Sequence, residues 1–233
     1  MTSRQRVRRI VAMGLLVMGI TAALFASGTL RPPTQTSRVV PTVSSTPSST
    51  ITALNSLAIK GRAPKTDYTR AQFGDGWATV SGCDTRNIIL YRDLRDTTID
   101  AKCNVTKGNL DDPYTGKTIA FTRGSGTSDD VQIDHVVALS NAWQTGAQQL
   151  THDQRVKLAN DPLELLAVDG PANQQKSDGD AATWLPSNKS FRCQYVARQV
   201  AVKQKYSLWV TQPEYDAIKS ILEICPGQQL PSK

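Results

Sequence analysis

Two short segments hold the residue types needed for metal-assisted hydrolysis. Asp134-His135 sets a carboxylate beside an imidazole, and further along Asn173-x-x-Lys176 adds an amide carbonyl and a cation. Asp134 and Asn173 are hard oxygen donors of the kind that Mg²⁺ or Mn²⁺ prefers, with water completing the coordination. A neutral imidazole can take a proton from water near physiological pH. The chain has only 2 histidines, which excludes a three-histidine zinc site and leaves His135 as the one to explain. No G-x-S-x-G elbow, Walker loop or dinucleotide-binding glycine pattern occurs. Taken alone, Asp134-His135 reads more readily as a hydrogen-bonded core pair, and it gains weight only together with the downstream segment.

The elements that must position these residues follow from hydrophobic patterning. Residues 131–137 read as a strand ending beside Asp134-His135, residues 140–150 and 151–159 as helices, and residues 163–168 as a second strand. Thr151 with Gln154 has capping-box spacing. Asp169-Gly170-Pro171 reads as a turn, with a polar helix opening at Asn173. The order is strand, helical insert, strand, helix. Upstream, residues 87–90 and 118–121 are strand-like, and residues 124–130 form a loop. Residues 188–206 and 211–224 read as two helices, the second with Thr211 and Glu214 placed as a capping box and Pro213 in its first turn.

Four cysteines allow three pairings. If the chain reverses at residues 207–210, Cys193 and Cys225 lie at nearly equal distances along the two helices and meet at the open end of the hairpin. That geometry favours Cys193–Cys225 and, by remainder, Cys83–Cys103. No C-x-x-C pair suggests a metal site. Trp143, Trp184 and Trp209 fall at helix-like positions and read as core, and His152 as surface.

Residues 1–30 carry four arginines followed by an apolar run over residues 10–26, the order of an export signal. The run falls just short of the ~20 residues needed to span a bilayer. Small residues at Ala26, Ser27 and Gly28 favour cleavage over retention as an N-terminal membrane anchor. Residues 31–58 are rich in Ser, Thr and Pro and read as a disordered tether, which leaves 59–233 as one domain. Six of the 27 basic residues precede Lys60, so 21 basic face all 20 acidic residues in the rest of the chain. Global charge therefore says nothing about partners, and a phosphate-binding surface has to be local. The tract 176–219, with seven basic and four acidic residues, is the first candidate for one, although most of those charges fit a solvated helix face.

Several blocks resemble HNH, or ββα-metal, nucleases. They are Gly82-Cys83-Asp84-Thr85-Arg86-Asn87, Asp112-Pro113-Tyr114-Thr115-Gly116, Ile133 to Leu139, Asn160-Asp161-Pro162-Leu163, Asn173-Gln174-Gln175-Lys176-Ser177-Asp178 and Trp184-Leu185-Pro186. In this order they are similar to the exported HNH endonucleases of actinobacteria related to the C-terminal domain of GmrSD restriction enzymes. The resemblance implies an α+β fold: a ββα-metal core with a helical insert and a C-terminal helical hairpin, stapled by disulfides.

The same resemblance implies a secreted endonuclease acting on nucleic acid, DNA first and RNA second. His135 would be the general base, and Asp134 and Asn173 the ligands of one Mg²⁺ or Mn²⁺ ion. Read from the residues themselves, Lys176 is a candidate phosphate contact and Asp178 a candidate metal-side carboxylate, the alternative for each being a solvated charge at the helix start, while Arg86 and Arg123 either grip phosphate or pair with acids such as Asp84 or Asp130. The middle HNH letter falls at Glu164 rather than Asn. Either Glu164 or nearby Asn160 then holds the base in position, the plain alternative for Glu164 being an exposed strand position. The alternative function is a non-catalytic module that binds nucleic acid or the cell envelope on the same fold.

Overall fold

The computed structural model describes residues 49–124 and 128–231. The expected signal and most of the expected tether lie outside these residues, as do residues 125–127 of the expected loop. The tether boundary at residue 58 differs in the structure. Ser49–Ser56 forms helix α1, and Ala53, Leu54 and Leu57 are buried in a core cluster with Val196, Val200 and Ile218. Sparse apolar residues on one face suffice there because two other helices cover that face.

The chain is mixed α and β. Short strands β1 (Thr79–Val80) and β2 (Cys83–Asp84) pair and lead into α2 (Thr85–Asp93). Residues 87–90, expected as a strand, belong to this helix. The Asp84 carboxylate accepts the Asn87 backbone N–H at 2.7 Å and caps the helix, and Ile89 and Leu90 pack on its inner side. Next, β3 (Leu94–Ile99), β4 (Val105–Asp111) and β5 (Thr118–Thr122) form an antiparallel sheet. The Cys83–Cys103 disulfide closes the start of α2 onto the β3–β4 turn, with Cα atoms 5.4 Å apart.

The central feature is an antiparallel pair, β6 (Val131–His135) and β7 (Leu165–Asp169), in the register Asp134↔Leu166 and His135↔Leu165. Between them run α3 (Leu139–Gln144), a 3₁₀ turn and α4 (His152–Ala159), whose Thr151/Gln154 capping box is present as expected. The remaining edge of β7 is covered by α2. Arg92 donates to the Leu165 carbonyl at 2.8 Å, and Asp93 accepts the Ala167 N–H at 2.8 Å. Both faces of the pair are packed, so its residues are buried almost throughout rather than in alternation.

After β7 the chain enters α5 (Gly170–Lys176). The expected turn at 169–171 is the start of this helix. Asp169 caps it by accepting the Ala172 N–H at 2.8 Å, and Pro171 occupies the first turn, where a missing N–H costs nothing. Only glycine fits at Gly170, because a Cβ there would lie 2.0 Å from the Asp129 carbonyl oxygen. Asn173 therefore sits mid-helix instead of opening it.

The chain ends in a helical hairpin, α6 (Arg192–Lys205) and α7 (Gln212–Glu223), tied at its open end by Cys193–Cys225. At the reversal, buried Lys203 pairs with Glu214 at 2.8 Å and donates to the Trp209 carbonyl at 3.0 Å. Trp143 and Trp209 are buried, Trp184 packs against the core, and the His152 side chain is exposed.

Candidate active site

The end of β6 delivers Asp134 and His135 into the interior, where they are 5% and 7% exposed. A carboxylate this deep must be paired. The Lys176 ammonium, 2% exposed at the end of α5, donates to Asp134 Oδ1 at 2.9 Å and to the His135 carbonyl at 2.8 Å. The second oxygen, Oδ2, accepts from the hydroxyl of Tyr114. Burial, reinforced by the Asp134 charge, pushes the Tyr114 hydroxyl well above its ordinary pKa, so it remains a donor. Tyr114 is held by its own turn. Asp112 accepts from Thr115 N at 2.7 Å and from Asp169 N at 2.9 Å, which ties the turn to the end of β7.

The His135 ring is fixed on two sides. Its Nε2 lies 3.0 Å from the Ala159 carbonyl, which can only accept, so Nε2 carries the proton and Nδ1 does not. Trp77 stacks on the ring with centroids 5.7 Å apart and planes within 6°. Burial first, and then the positive charge of Arg70, lower the imidazole pKa to about 3, so the ring is neutral at physiological pH.

Glu164 and Asn160 brace this arrangement by different routes. Glu164 is fully buried, which excludes the exposed strand position. Its carbonyl accepts the Val136 N–H at 2.9 Å and its Oε2 accepts the Val137 N–H at 3.1 Å, so it pins the two residues that follow His135. Its Oε1 has no hydrogen-bond partner among the described residues, and burial drives the carboxyl pKa well upward. Asn160 makes no hydrogen bond to His135 among the described residues. It accepts the Ala78 N–H at 2.8 Å and donates to Val156 O at 3.0 Å, joining the segment that carries Trp77 to the end of α4 that carries Ala159.

Asp134, His135, Asn173, Asp178, Arg70 and Arg86 line an open cleft of about 690 Å³. The Asn173 Nδ2 donates to Gln132 Oε1 at 2.9 Å, which leaves its carbonyl oxygen available. Asp178 accepts from Ser140 Oγ at 3.1 Å and from Lys65 at 3.3 Å. Two expectations change here. Lys176, expected to reach phosphate, does not line the cleft: its ammonium is buried and held by Asp134 and the His135 carbonyl. Arg123 does not line the cleft, because its guanidinium donates to Val105 O at 3.0 Å and to Asn87 Oδ1. Arg86 does line it, held by longer contacts to the Ser128 and Val131 carbonyls at 3.5 and 3.3 Å, and among the described residues no ion pair joins either arginine to Asp84 or Asp130.

Among the described residues no group of three or more His, Cys, Asp or Glu could hold a metal ion. The donor set beside His135 is smaller and harder. Each Asp134 oxygen accepts one hydrogen bond and keeps further lone-pair capacity, and Asn173 adds a carbonyl oxygen. Two oxygens beside an open cleft fit Mg²⁺ or Mn²⁺ retaining several waters. They do not fit a closed structural zinc site.

The family model described as the C-terminal domain of GmrSD restriction endonucleases matches residues 84–221, more than half of the chain. The chain belongs to this family. The relationship to restriction endonuclease domains makes it nuclease-like, and the matched region contains every residue of the constellation from Asp134 to Lys176. A protein described as an uncharacterized secreted protein of Arthroderma benhamiae is 39% identical over 191 residues, covering 80% of this chain and 90% of that relative. That relative is fungal, so the similarity is not confined to the actinobacterial proteins that the sequence motifs resemble. No solved structure matches.

Three residues of the site carried no role in the sequence reading. Tyr114 lies inside a motif block that was recognised, yet nothing local says that its hydroxyl reaches Asp134. Trp77 and Arg70 precede the matched family region, and both line the cleft.

Proposed function

We propose that the chain is a secreted, metal-dependent endonuclease of HNH type that hydrolyses phosphodiester bonds in nucleic acid, DNA first. The observation that carries this reading is the fixed tautomer of His135. With Nε2–H held on the Ala159 carbonyl, the unprotonated Nδ1 belongs to a neutral imidazole lining an open cleft beside two hard oxygen donors. Water bound there loses a proton to Nδ1 as its oxygen attacks phosphorus, the bond to the 3′ oxygen breaks, and the products carry 5′-phosphate. Asp134 and Asn173 would hold the divalent ion, whose chemistry is to neutralise charge building on the phosphate and the leaving oxygen. Glu164 and Trp77 keep the imidazole in place, and Lys176 with Tyr114 orients the Asp134 carboxylate.

Export is supported by two disulfides and by the name of the fungal relative, and no helix among the described residues is long and apolar enough to cross a membrane. The test is plasmid nicking by the purified chain with Mg²⁺ or Mn²⁺, with and without chelator, alongside His135→Ala. Cleavage should require the ion and vanish in the variant while oligonucleotide binding persists. Nicking that survives His135→Ala refutes the assignment. Binding without cleavage across several divalent ions in the unaltered chain would identify a binding module instead.

A further inference from the structure

The cations of the cleft differ in what already occupies them. Lys65 pairs with Asp178, and Arg86 donates to two backbone carbonyls. Arg70 also lines the cleft, and no hydrogen bond or ion pair holds it among the described residues. It borders both the main cleft and a smaller adjoining cavity of about 130 Å³, and His135 and Trp77 line the two spaces with it.

The backbone carrying Arg70 is anchored. It begins the 3₁₀ turn Arg70–Phe73, whose Phe73 ring is buried against Trp143 and Leu158. Arg155 of α4 grips the same turn from behind, donating to Gln72 O at 2.8 Å and to Gln72 Oε1 at 3.0 Å. An exposed guanidinium is thus held on a rigid base at the rim of the site, close enough for its charge to act on the His135 ring.

We propose that Arg70 is a phosphate-binding residue of the cleft, gripping the nucleic-acid backbone at or beside the phosphate that faces His135. Guanidinium donors match phosphate oxygens in pairs, and a strand presents one such anion per nucleotide. The inference rests on the nuclease reading above. It adds a substrate contact from the segment before the matched family region.

The test is binding of a labelled DNA oligonucleotide to the full chain in chelator, which blocks cleavage, at several salt concentrations. Arg70→Gln should weaken binding about tenfold. It should also reduce the slope of log K against log salt by about 0.7 to 0.9, the loss of one phosphate contact. Arg70→Lys should retain most of that slope. Lys219→Ala, on α7 away from the cleft, serves as the control. Thermal unfolding should be unchanged in all three variants, since among the described residues neither side chain has a hydrogen bond or ion pair to lose. If Arg70→Gln shows the slope of Lys219→Ala while the unaltered chain binds and cleaves, the assignment to Arg70 is wrong and the nuclease reading stands. If the unaltered chain neither binds nor cleaves nucleic acid, it is the nuclease reading that fails.

Discussion

Replacing Lys176 by Met removes one charge from a buried pair and leaves the other behind. Methionine is close to lysine in length and apolar, so it fills the space without its ammonium. Asp134, 5% exposed, would then retain only the Tyr114 hydroxyl as a donor, and the His135 carbonyl would lose the Lys176 ammonium. Removing one partner of a buried ion pair costs roughly 3–5 kcal/mol. Native stabilities are about 5–15 kcal/mol in total, so this is a large fraction of the whole. For a domain of this size 1 kcal/mol shifts Tm by about 2–4 °C, which puts the variant roughly 6–20 °C below the unaltered chain.

Thermal unfolding at pH 7 in chelator, followed by circular dichroism, measures the shift. Asp134→Asn combined with Lys176→Met removes both charges and should recover more than half of the loss, giving a positive coupling in a double-mutant cycle. If Lys176→Met alone unfolds within about 2 °C of the unaltered chain, Asp134 is not the buried, single-cation carboxylate described above. The placement of Lys176 as an internal partner would then be wrong.

Two further outcomes follow from the same structure. Burial raises the folded pKa of Glu164, so folding takes up a proton: stability is full below the unfolded value of about 4.3 and declines as pH rises toward the folded value. Glu164→Gln keeps an acceptor for Val137 N–H without a charge. Its Tm relative to the unaltered chain should therefore rise between pH 5 and pH 8, and an identical difference at both values would show that the Glu164 carboxyl is not held neutral. The disulfides close loops with sequence separations of 20 and 32, so replacing either cysteine pair with serines should cost roughly 3–4 kcal/mol on the chain-entropy account. Urea denaturation of the two double variants checks this, and an unchanged midpoint in both would contradict it.

Local patterning determined a good part of this protein. The capping boxes at Thr151 and Thr211, the helical hairpin and the Cys193–Cys225 link follow from spacings of a few residues and from the nearly equal distances of the two cysteines from the turn, quantities written along the chain. Asp134, His135 and Asn173 were recognisable because a hard-oxygen pair with an imidazole is a chemical pattern of residue types. Residues 87–90 misread as a strand because four apolar and polar residues fit either period, and the deciding cap came from Asp84, just outside the window. Helix α1 was hidden in the Ser- and Thr-rich stretch because its stability comes from α6 and α7 and not from its own composition.

What only the tertiary structure decided is how each charge is used. Whether a lysine meets solvent, phosphate or a buried carboxylate depends on residues far away in sequence, and the Lys176–Asp134 pair spans 42 positions. The same holds for Glu164, whose burial turns a nominally exposed acid into the brace for the backbone after His135, and for Arg123, whose guanidinium is spent on Asn87 and the Val105 carbonyl and does not line the cleft. The sequence alone could name the chemical groups. Burial and long-range pairing, which arise when separate segments close over one another, set which of them are available for chemistry.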